Sequence, residues 1–353
     1  MQKDVKDFFL SLLQTASPSG YEQVAAGLWR EYCRSFANSI SSDFHGNSFA
    51  TVTGKQDLRI MLAGHIDEIG FIVSYIDEQG FVHFRPIGGH DRSLIAGRGV
   101  NVLSATGPLY GVLGRKAIHL LTPEERKKIP EYENIWIDIG VANREEAEAI
   151  VQLGDAVVYD GQPQFMGNDL IVSRGLDDKA GALVVARALQ LIASDQVVAS
   201  VTAVATVQEE IGLRGARTSA FAMDPHIGIA VDVTHATDHP EINPRREGKI
   251  DLGAGPVILR GANANPVLVD LFIETARARQ IPYQIDAIGG GTGTDANAIQ
   301  LSRSGVATAL LSIPLRYMHT PREIVSLSDI ENAAKLIAAV ASAVDDSEIF
   351  RLG

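Results

Sequence analysis

Imidazoles and carboxylates recur in this chain where apolar runs give out. His65 and Asp67 follow Leu58 to Ala63, Glu209 and Glu210 follow Val201 to Val207, Asp232 follows Ile227 to Val231, and His319 lies beyond a run ending near Ile313. Asp177 precedes a predicted helix. Ligands of open α/β sheets bind outside the carboxyl ends of the strands, so these side chains are expected to converge on one crevice. His65 and Asp67, two apart in extended chain, project to the same side, and a carboxylate beside a ligating imidazole fixes its tautomer. In isolation that pair also reads as a capped turn with an ordinary surface histidine. Adjacent Glu209 and Glu210 can divide two jobs, one ligating and one free to act as base on a water whose pKa a metal lowers toward about 7. A solvated acidic turn is the plainer reading of such a pair, but this one ends a strongly apolar run. Asp177-Asp178 opens a helix, where capping and the helix dipole already favour carboxylates. Two cations roughly 3.5–4 Å apart also need a carboxylate between them, and Asp177 is assigned that role. With His65 and Asp232 on one ion and Glu210 and His319 on the other, the mixed nitrogen and oxygen donors suit zinc or cobalt better than calcium or magnesium.

The other histidines (His45, His83, His90, His119, His226, His235 and His239) read as structural or surface residues. The glycines at 289–291 and the following Thr292-Gly293-Thr294-Asp295 lack the lysine of a phosphate loop. They are read as a flexible loop facing substrate, with Gly293, Thr294 and Asp295 as its candidate contacts.

The elements that must hold these residues are legible as changes of texture. Residues 2 to about 36 carry helical periodicity, broken at Ser17-Pro18-Ser19-Gly20. From Phe71 to Gly161 short β-rich runs alternate with glycine turns, as in a small all-β unit, with a charged turn at Pro123–Lys128 and a short helix over Arg144–Gln152. After Leu176 apolar runs alternate with helical segments: Asp178–Ala193, Gly212–Met223, Pro266–Arg279 and Ser328–Ala343 as helices, Ala307–Ile313 as a strand. That alternation predicts an α/β layered sheet built from residues 1–70 and 163–353 and interrupted by a small β-rich unit at 71–162.

Composition narrows the function classes. Among 353 residues, 31 Lys and Arg against 43 Asp and Glu leave a formal charge of −12, which argues against a nucleic-acid partner. The sole cysteine, Cys33, allows no intrachain disulfide. The opening MQKDVKDFFLSLLQTAS places Asp4 and Asp7 where a signal peptide carries positive charge and reads as an amphipathic helix. No apolar stretch approaches the roughly 20 residues of a membrane span. A cytoplasmic location is expected.

Taken in order, GHIDEIGF, RGLDDKAG, ATVQEEIGLRGA, VDVT, GGGTGTDANAI and RYMHTPREIVSLSD resemble the tetrahedral aminopeptidase family, which includes glutamyl and deblocking aminopeptidases and some members carrying a cellulase label. The resemblance extends from SPSGYE at residues 17–22 to the final helix. It implies a zinc-peptidase-like catalytic α/β domain, a layered sheet with helices on both faces and two co-catalytic metal ions, with an inserted small β-barrel-like domain that mediates dimerisation, and dimers assembling into a dodecamer. Position by position it implies His65, Asp177 and Asp232 at one metal, Asp177, Glu210 and His319 at the other, and Asp67 and Glu209 as the catalytic acids.

The expected function is therefore a metal-dependent aminopeptidase acting on peptides. A deacylase or carboxypeptidase on a related scaffold shares the metal centre but needs a cationic clamp, for which Arg214, Arg217, Arg260 and Arg316 are available. A glycosidase leaves His65 and His319 without purpose. A noncatalytic, metal-stabilised assembly protein is disfavoured because structural zinc shells are usually rich in cysteine.

Overall fold

The computed structural model describes residues 1–194 and 197–352. The chain opens with α1 (Lys3–Gln14) and α2 (Gln23–Cys33). Val5, Phe8, Phe9, Leu12 and Leu13 form the buried stripe of α1, at the helical spacing that lets one face enter a core. Three strands follow: β1 (Ser39–Ser42), β2 (Ser48–Val52) and β3 (Arg59–His65). The next six, β4 (Gly70–Ile76), β5 (Val82–Ile87), β6 (Gly99–Ser104), β7 (Gly107–Arg115), β8 (Ile135–Asp138) and β9 (Ala156–Tyr159), close a separate barrel in the order β4-β5-β8-β7-β6-β9. Helix α3 (Arg144–Glu148) lies in the same stretch and is shorter than its sequence suggests. Alternate residues such as Phe71, Val73, Val100, Val102 and Val157 fill the barrel core, the two-residue period of strands with one buried face.

The chain then returns through β10 (Gln164–Met166), β11 (Leu170–Ser173), α4 (Leu176–Ile192), β12 (Ser200–Thr206), α5 (Arg214–Met223), β13 (Ile227–His235) and α6 (Pro244–Glu247). It finishes with β14 (Val257–Gly261), α7 (Pro266–Ala278), β15 (Gln284–Ile288), α8 (Asp295–Ile299), β16 (Ala307–Arg316), β17 (Glu323–Ser326) and α9 (Leu327–Ala343). The eleven-stranded sheet runs β1-β2-β12-β3-β13-β16-β17-β11-β10, with β14 pairing both β15 and β16. Its centre, β12, β3, β13 and β16, is parallel and buried on both faces, so these strands read as continuous apolar runs. One large core packs α1, α2, α4, α7 and α9 on one side of the sheet. A smaller one packs Ala216, Ala220, Ala296 and Ile299 of α5 and α8 on the other. Among the described residues no helix is long and apolar enough to cross a membrane.

Candidate metal centre

The central strands deliver the candidate residues to one end of the sheet. β3 pairs with β12 as far as His65 opposite Thr206, so the turn carrying Glu209 and Glu210 begins level with His65. β13 runs to His235, which places Asp232 inside the strand and not past its end as the apolar run suggested. The reason is asymmetric pairing: β13 leaves β3 after Ala230 but stays with β16 through His235. The strand therefore outlasts one neighbour, with Asp232 in that longer stretch.

Helix α4 supplies the aspartates because Gly64 lets it lie against β3 and Gly181 leaves room for the Asp178 carboxyl. A Cβ on Gly64 would meet the Gly181 carbonyl carbon at 2.5 Å, and one on Gly181 would meet an Asp178 carboxyl oxygen at 2.2 Å. Asp177 and Asp178 themselves are non-helical, and the peptide bond joining them is cis. Asp178 accepts from the backbone N–H of His65 (3.1 Å) and of Gly181 (2.9 Å), tying helix to strand at the site.

His65 Nδ1 stands 3.1 Å from the Asp67 carbonyl oxygen and 3.4 Å from its carboxylate. Both neighbours only accept, so Nδ1 carries a proton and Nε2 is the ring nitrogen that faces the cluster. Nε2 lies 3.2 Å from Asp177 Oδ1 and 3.8 Å from Glu209 Oε2. On the opposite side His319 Nε2 lies 3.4 Å from Asp177 Oδ2 and 3.5 Å from Glu210 Oε2. The two oxygens of one carboxylate thus face imidazoles from opposite ends of the chain. Candidate donor atoms of His65, Asp177 and Glu210 lie within 4.8 Å of one another, as do those of His65, Asp178 and Asp232. Asp67 also accepts from the N–H of Glu209 (3.0 Å) and Glu210 (3.2 Å), which turns the adjacent glutamates apart.

The charge balance asks for cations. Burial, reinforced by Asp232, Asp295 and Asp177 against the opposing pull of His65, pushes the Glu209 carboxyl up to about 9. Burial and Asp177 raise Asp232 to about 7, and burial and its acidic neighbours hold Asp178 and Glu210 well above the usual carboxylate range. Asp177 alone is held low: burial opposes its ionisation, but hydrogen bonds from His319 and His65 outweigh it. Among the described residues, Glu210 Oε1 and Asp295 Oδ1 are buried with no hydrogen-bond partner. Unpaired buried acceptors of this kind are costly, and cations among them would supply both the missing contacts and the missing charge. The residues fit a divalent-metal site.

Sequence reasoning did not single out several residues that build this site. Asp178 was weighed only as a cap. Buried Glu323 accepts from the N–H of Asp177 (3.1 Å) and His319 (3.0 Å), clasping two candidate ligands from behind. Glu68 is buried between Arg174 and Lys179 and accepts from both. Glu323 carries no local signal, because it opens a short strand that only pairing with β11 and β16 defines. Gly88 and Gly89 bring the barrel to the cluster, since a Cβ on Gly89 would stand 3.3 Å from His319 Nδ1 and one on Gly88 3.4 Å from Glu210 Oε2. Gly293 lies outside the core, whereas Thr294 and Asp295 are buried. Asp295 opens α8 and accepts from Thr206 Oγ1 at 2.5 Å, which turns its carboxyl inward toward the ends of the central strands. Of the arginines available to a carboxylate clamp, Arg316 is held by Asp238 and Arg260 by Asp270. His235 is exposed, and His239 Nδ1 meets the Pro240 carbonyl, away from Asp232.

Fold and site together define an α/β protein with a cluster of carboxylates and imidazoles able to hold metal at the ends of its central parallel strands. The profile of the M42 glutamyl aminopeptidase family matches residues 46–336, and the chain belongs to that family of metallopeptidases. It is 36% identical to the lysyl aminopeptidase of Pyrococcus furiosus over 338 residues, covering 93% of this chain and 94% of that one. The TET aminopeptidase structure from the marine sediment archaeon Thaumarchaeota archaeon SCGC AB-539-E09 superposes with a TM-score of 0.94 at 32% identity, over 98% of this chain and 99% of that one. The TET1 peptidase of Pyrococcus horikoshii, which can assemble into a tetrahedron or a large octahedral shell, superposes with a TM-score of 0.84 at 31% identity, over 96% of this chain and all of the other (100%).

Proposed function

We propose that this peptide hydrolase is an aminopeptidase that removes amino-terminal residues from peptides at a two-metal centre bridged by Asp177. The observation that carries this reading is the pair of Asp177 oxygens facing His65 and His319 separately, inside a cluster of buried carboxylates. His65, Asp177 and Asp232 would hold one divalent ion, and Asp177, Glu210 and His319 the other; the donor set suits zinc or cobalt. When bound, such ions polarise a carbonyl and lower the pKa of water. Glu209 takes the proton from the attacking water and returns it to the leaving amine. Burial favours the protonated form of Glu209, and divalent ions beside it would favour its carboxylate, the form that accepts a proton from water. Asp67 fixes the His65 tautomer and sets Glu209 and Glu210 at different angles. Gly293, Thr294 and Asp295 contribute to the substrate-facing side of the cleft.

The chain acts as a homo-oligomer, with the barrel of residues 71–162 as its dimerisation unit and a dodecamer as the assembly. Support for this comes from exposed Tyr110, Ile118, Leu120 and Ile129 on the barrel and its excursions, and from the assemblies of the Pyrococcus horikoshii relative. Its location is taken as cytoplasmic. The test is a panel of aminoacyl p-nitroanilides, blocked and unblocked, assayed after chelation and after return of zinc, cobalt or manganese. Unblocked substrates should be cleaved only with metal present. Glu209→Gln should lose at least about 100-fold in kcat with metal content unchanged. Equal cleavage of amino-blocked substrates, or activity surviving full metal removal, overturns the reading.

A further inference from the structure

The segment Ser17-Pro18-Ser19-Gly20-Tyr21-Glu22, between α1 and α2, supplies none of the candidate metal ligands, yet its groups bond to both loops that carry the chemistry. Ser17 Oγ donates to the Ile66 carbonyl (2.8 Å), and its N–H donates to Glu68 Oε1 (2.9 Å). Ser19 Oγ donates to Asp67 Oδ2 at 2.7 Å. Glu22 Oε1 accepts from the N–H of Gly20 (2.7 Å) and from that of Gln208 (3.1 Å). All of Ser17, Ser19 and Glu22 are buried.

The last of these bonds reaches an unusual backbone. Gln208 has φ 55°, a left-handed conformation that a side chain other than glycine adopts at a cost. That turn is what sends Glu209 and Glu210 to separate places. Its three successive N–H groups all donate to carboxylates: Gln208 to Glu22, and Glu209 and Glu210 to Asp67. A cavity of about 210 Å³ lies beside Gln208 and Glu22, bordered also by Arg30, Asp43 and His45. The turn therefore has room to relax on that side; the Gln208 and Glu209 carbonyls are tied down by N–H groups of Arg214, Gly212 and Leu213, and on the side of the cavity the Glu22 bond holds the Gln208 N–H.

We propose that Glu22 and Ser19 are positioning residues for Glu209. Glu22 locks the left-handed turn at Gln208, and Ser19 orients the Asp67 carboxylate that receives the next two N–H groups. Together they set where the Glu209 carboxylate stands relative to His65 and Asp177. This rests on the reading of Glu209 as the base.

The test compares E22A, E22Q, S19A and S19T on an unblocked aminoacyl p-nitroanilide, with metal content and thermal midpoint measured on the same preparations. Both bonds to Glu22 end on a single oxygen, so a glutamine amide oxygen can accept them and alanine cannot. E22A should lose ~10- to 100-fold in kcat, the scale for displacement of a reacting group by about 1 Å. Its KM should stay within about twofold of wild type, as expected when only transition-state contacts are lost, and both metal equivalents should be kept. E22Q should recover most of that loss. S19A should fall by roughly tenfold and S19T, which keeps the hydroxyl, should recover it. If E22A does not fold, the Ser19 pair carries the same comparison. An active wild type with unimpaired E22A and S19A overturns the positioning role alone, as does an E22Q no better than E22A, or metal lost in step with kcat. A fully metallated wild type inactive on every unblocked substrate overturns this role and the proposed function together.

Discussion

Replacing Glu323 with glutamine isolates what holds the candidate ligands from behind. Each Glu323 oxygen accepts one backbone N–H, from Asp177 at 3.1 Å and from His319 at 3.0 Å. The side chain is 2% exposed, and no basic side chain pairs with it among the described residues. Glutamine has one acceptor oxygen, so one of the two bonds must go. The bond kept should be that to Asp177, whose side chain is 7% exposed; the His319 side chain is 36% exposed, and its N–H can turn to water more readily. His319 sits at φ 58°, so freeing its N–H also frees a strained residue to relax. Losing one buried hydrogen bond costs about 1–3 kcal/mol, which is roughly 5- to 150-fold in affinity. Cobalt titration of chelated protein, followed by visible absorption and calorimetry, should therefore show one equivalent bound about as in wild type and the other weakened by that factor. Two unchanged equivalents, or equal weakening of both, refutes the clasp.

Burial opposes ionisation of Glu68, but Arg174 and Lys179 more than compensate and hold its carboxyl at about 2, while burial draws Lys179 down to about 8. At about 1.4 kcal/mol per pKa unit, the Glu68 gain and the Lys179 penalty are each roughly 3 kcal/mol and nearly cancel near neutrality. The signs still fix the pH dependence. Stability from Glu68 is complete above about 4.5 and falls as pH drops toward about 2, and the Lys179 penalty lifts as pH rises from about 8 to about 10.5. Denaturant unfolding of chelated protein should show both limbs, and Glu68→Gln should flatten the acid one while costing about 3–5 kcal/mol by stranding two buried cations. A variant within about 1 kcal/mol of wild type contradicts the triad. Gly64→Ala should cost about 3 kcal/mol or more, because its Cβ meets helix backbone at 2.5 Å. It should also weaken metal binding by displacing α4; an unchanged thermal midpoint and metal content would show that helix and strand can part without consequence.

How far the sequence carried depended on whether a signal was local. The central strands were readable because burial on both faces makes them unbroken apolar runs, as in Val201–Val207. The paired barrel strands were readable from alternation and glycine turns. Polar edge strands such as Ser39–Ser42, and short ones such as Glu323–Ser326, were not, because pairing and not composition makes them strands. The cluster of His65, Asp177, Glu209, Glu210, Asp232 and His319 stood out because charged residues at the ends of apolar runs are costly without a purpose. Asp178, Glu323 and the Ser19 and Glu22 contacts were invisible for the opposite reason. Their partners are backbone N–H groups or side chains remote in the chain, which no spacing rule connects. The end of β13 was misjudged at Val231 because its continuation depends on pairing with β16, a tertiary fact.

Cobalt titration of metal-free wild type beside Asp177→Asn, Asp232→Asn and His319→Ala addresses the bridge itself. Wild type should bind two equivalents, with hydrolysis of an unblocked aminoacyl p-nitroanilide appearing as the second is filled. Asp232→Asn and His319→Ala should each weaken one equivalent, and Asp177→Asn should weaken both. An Asp177→Asn protein that fills either position with wild-type affinity contradicts a carboxylate shared between two ions.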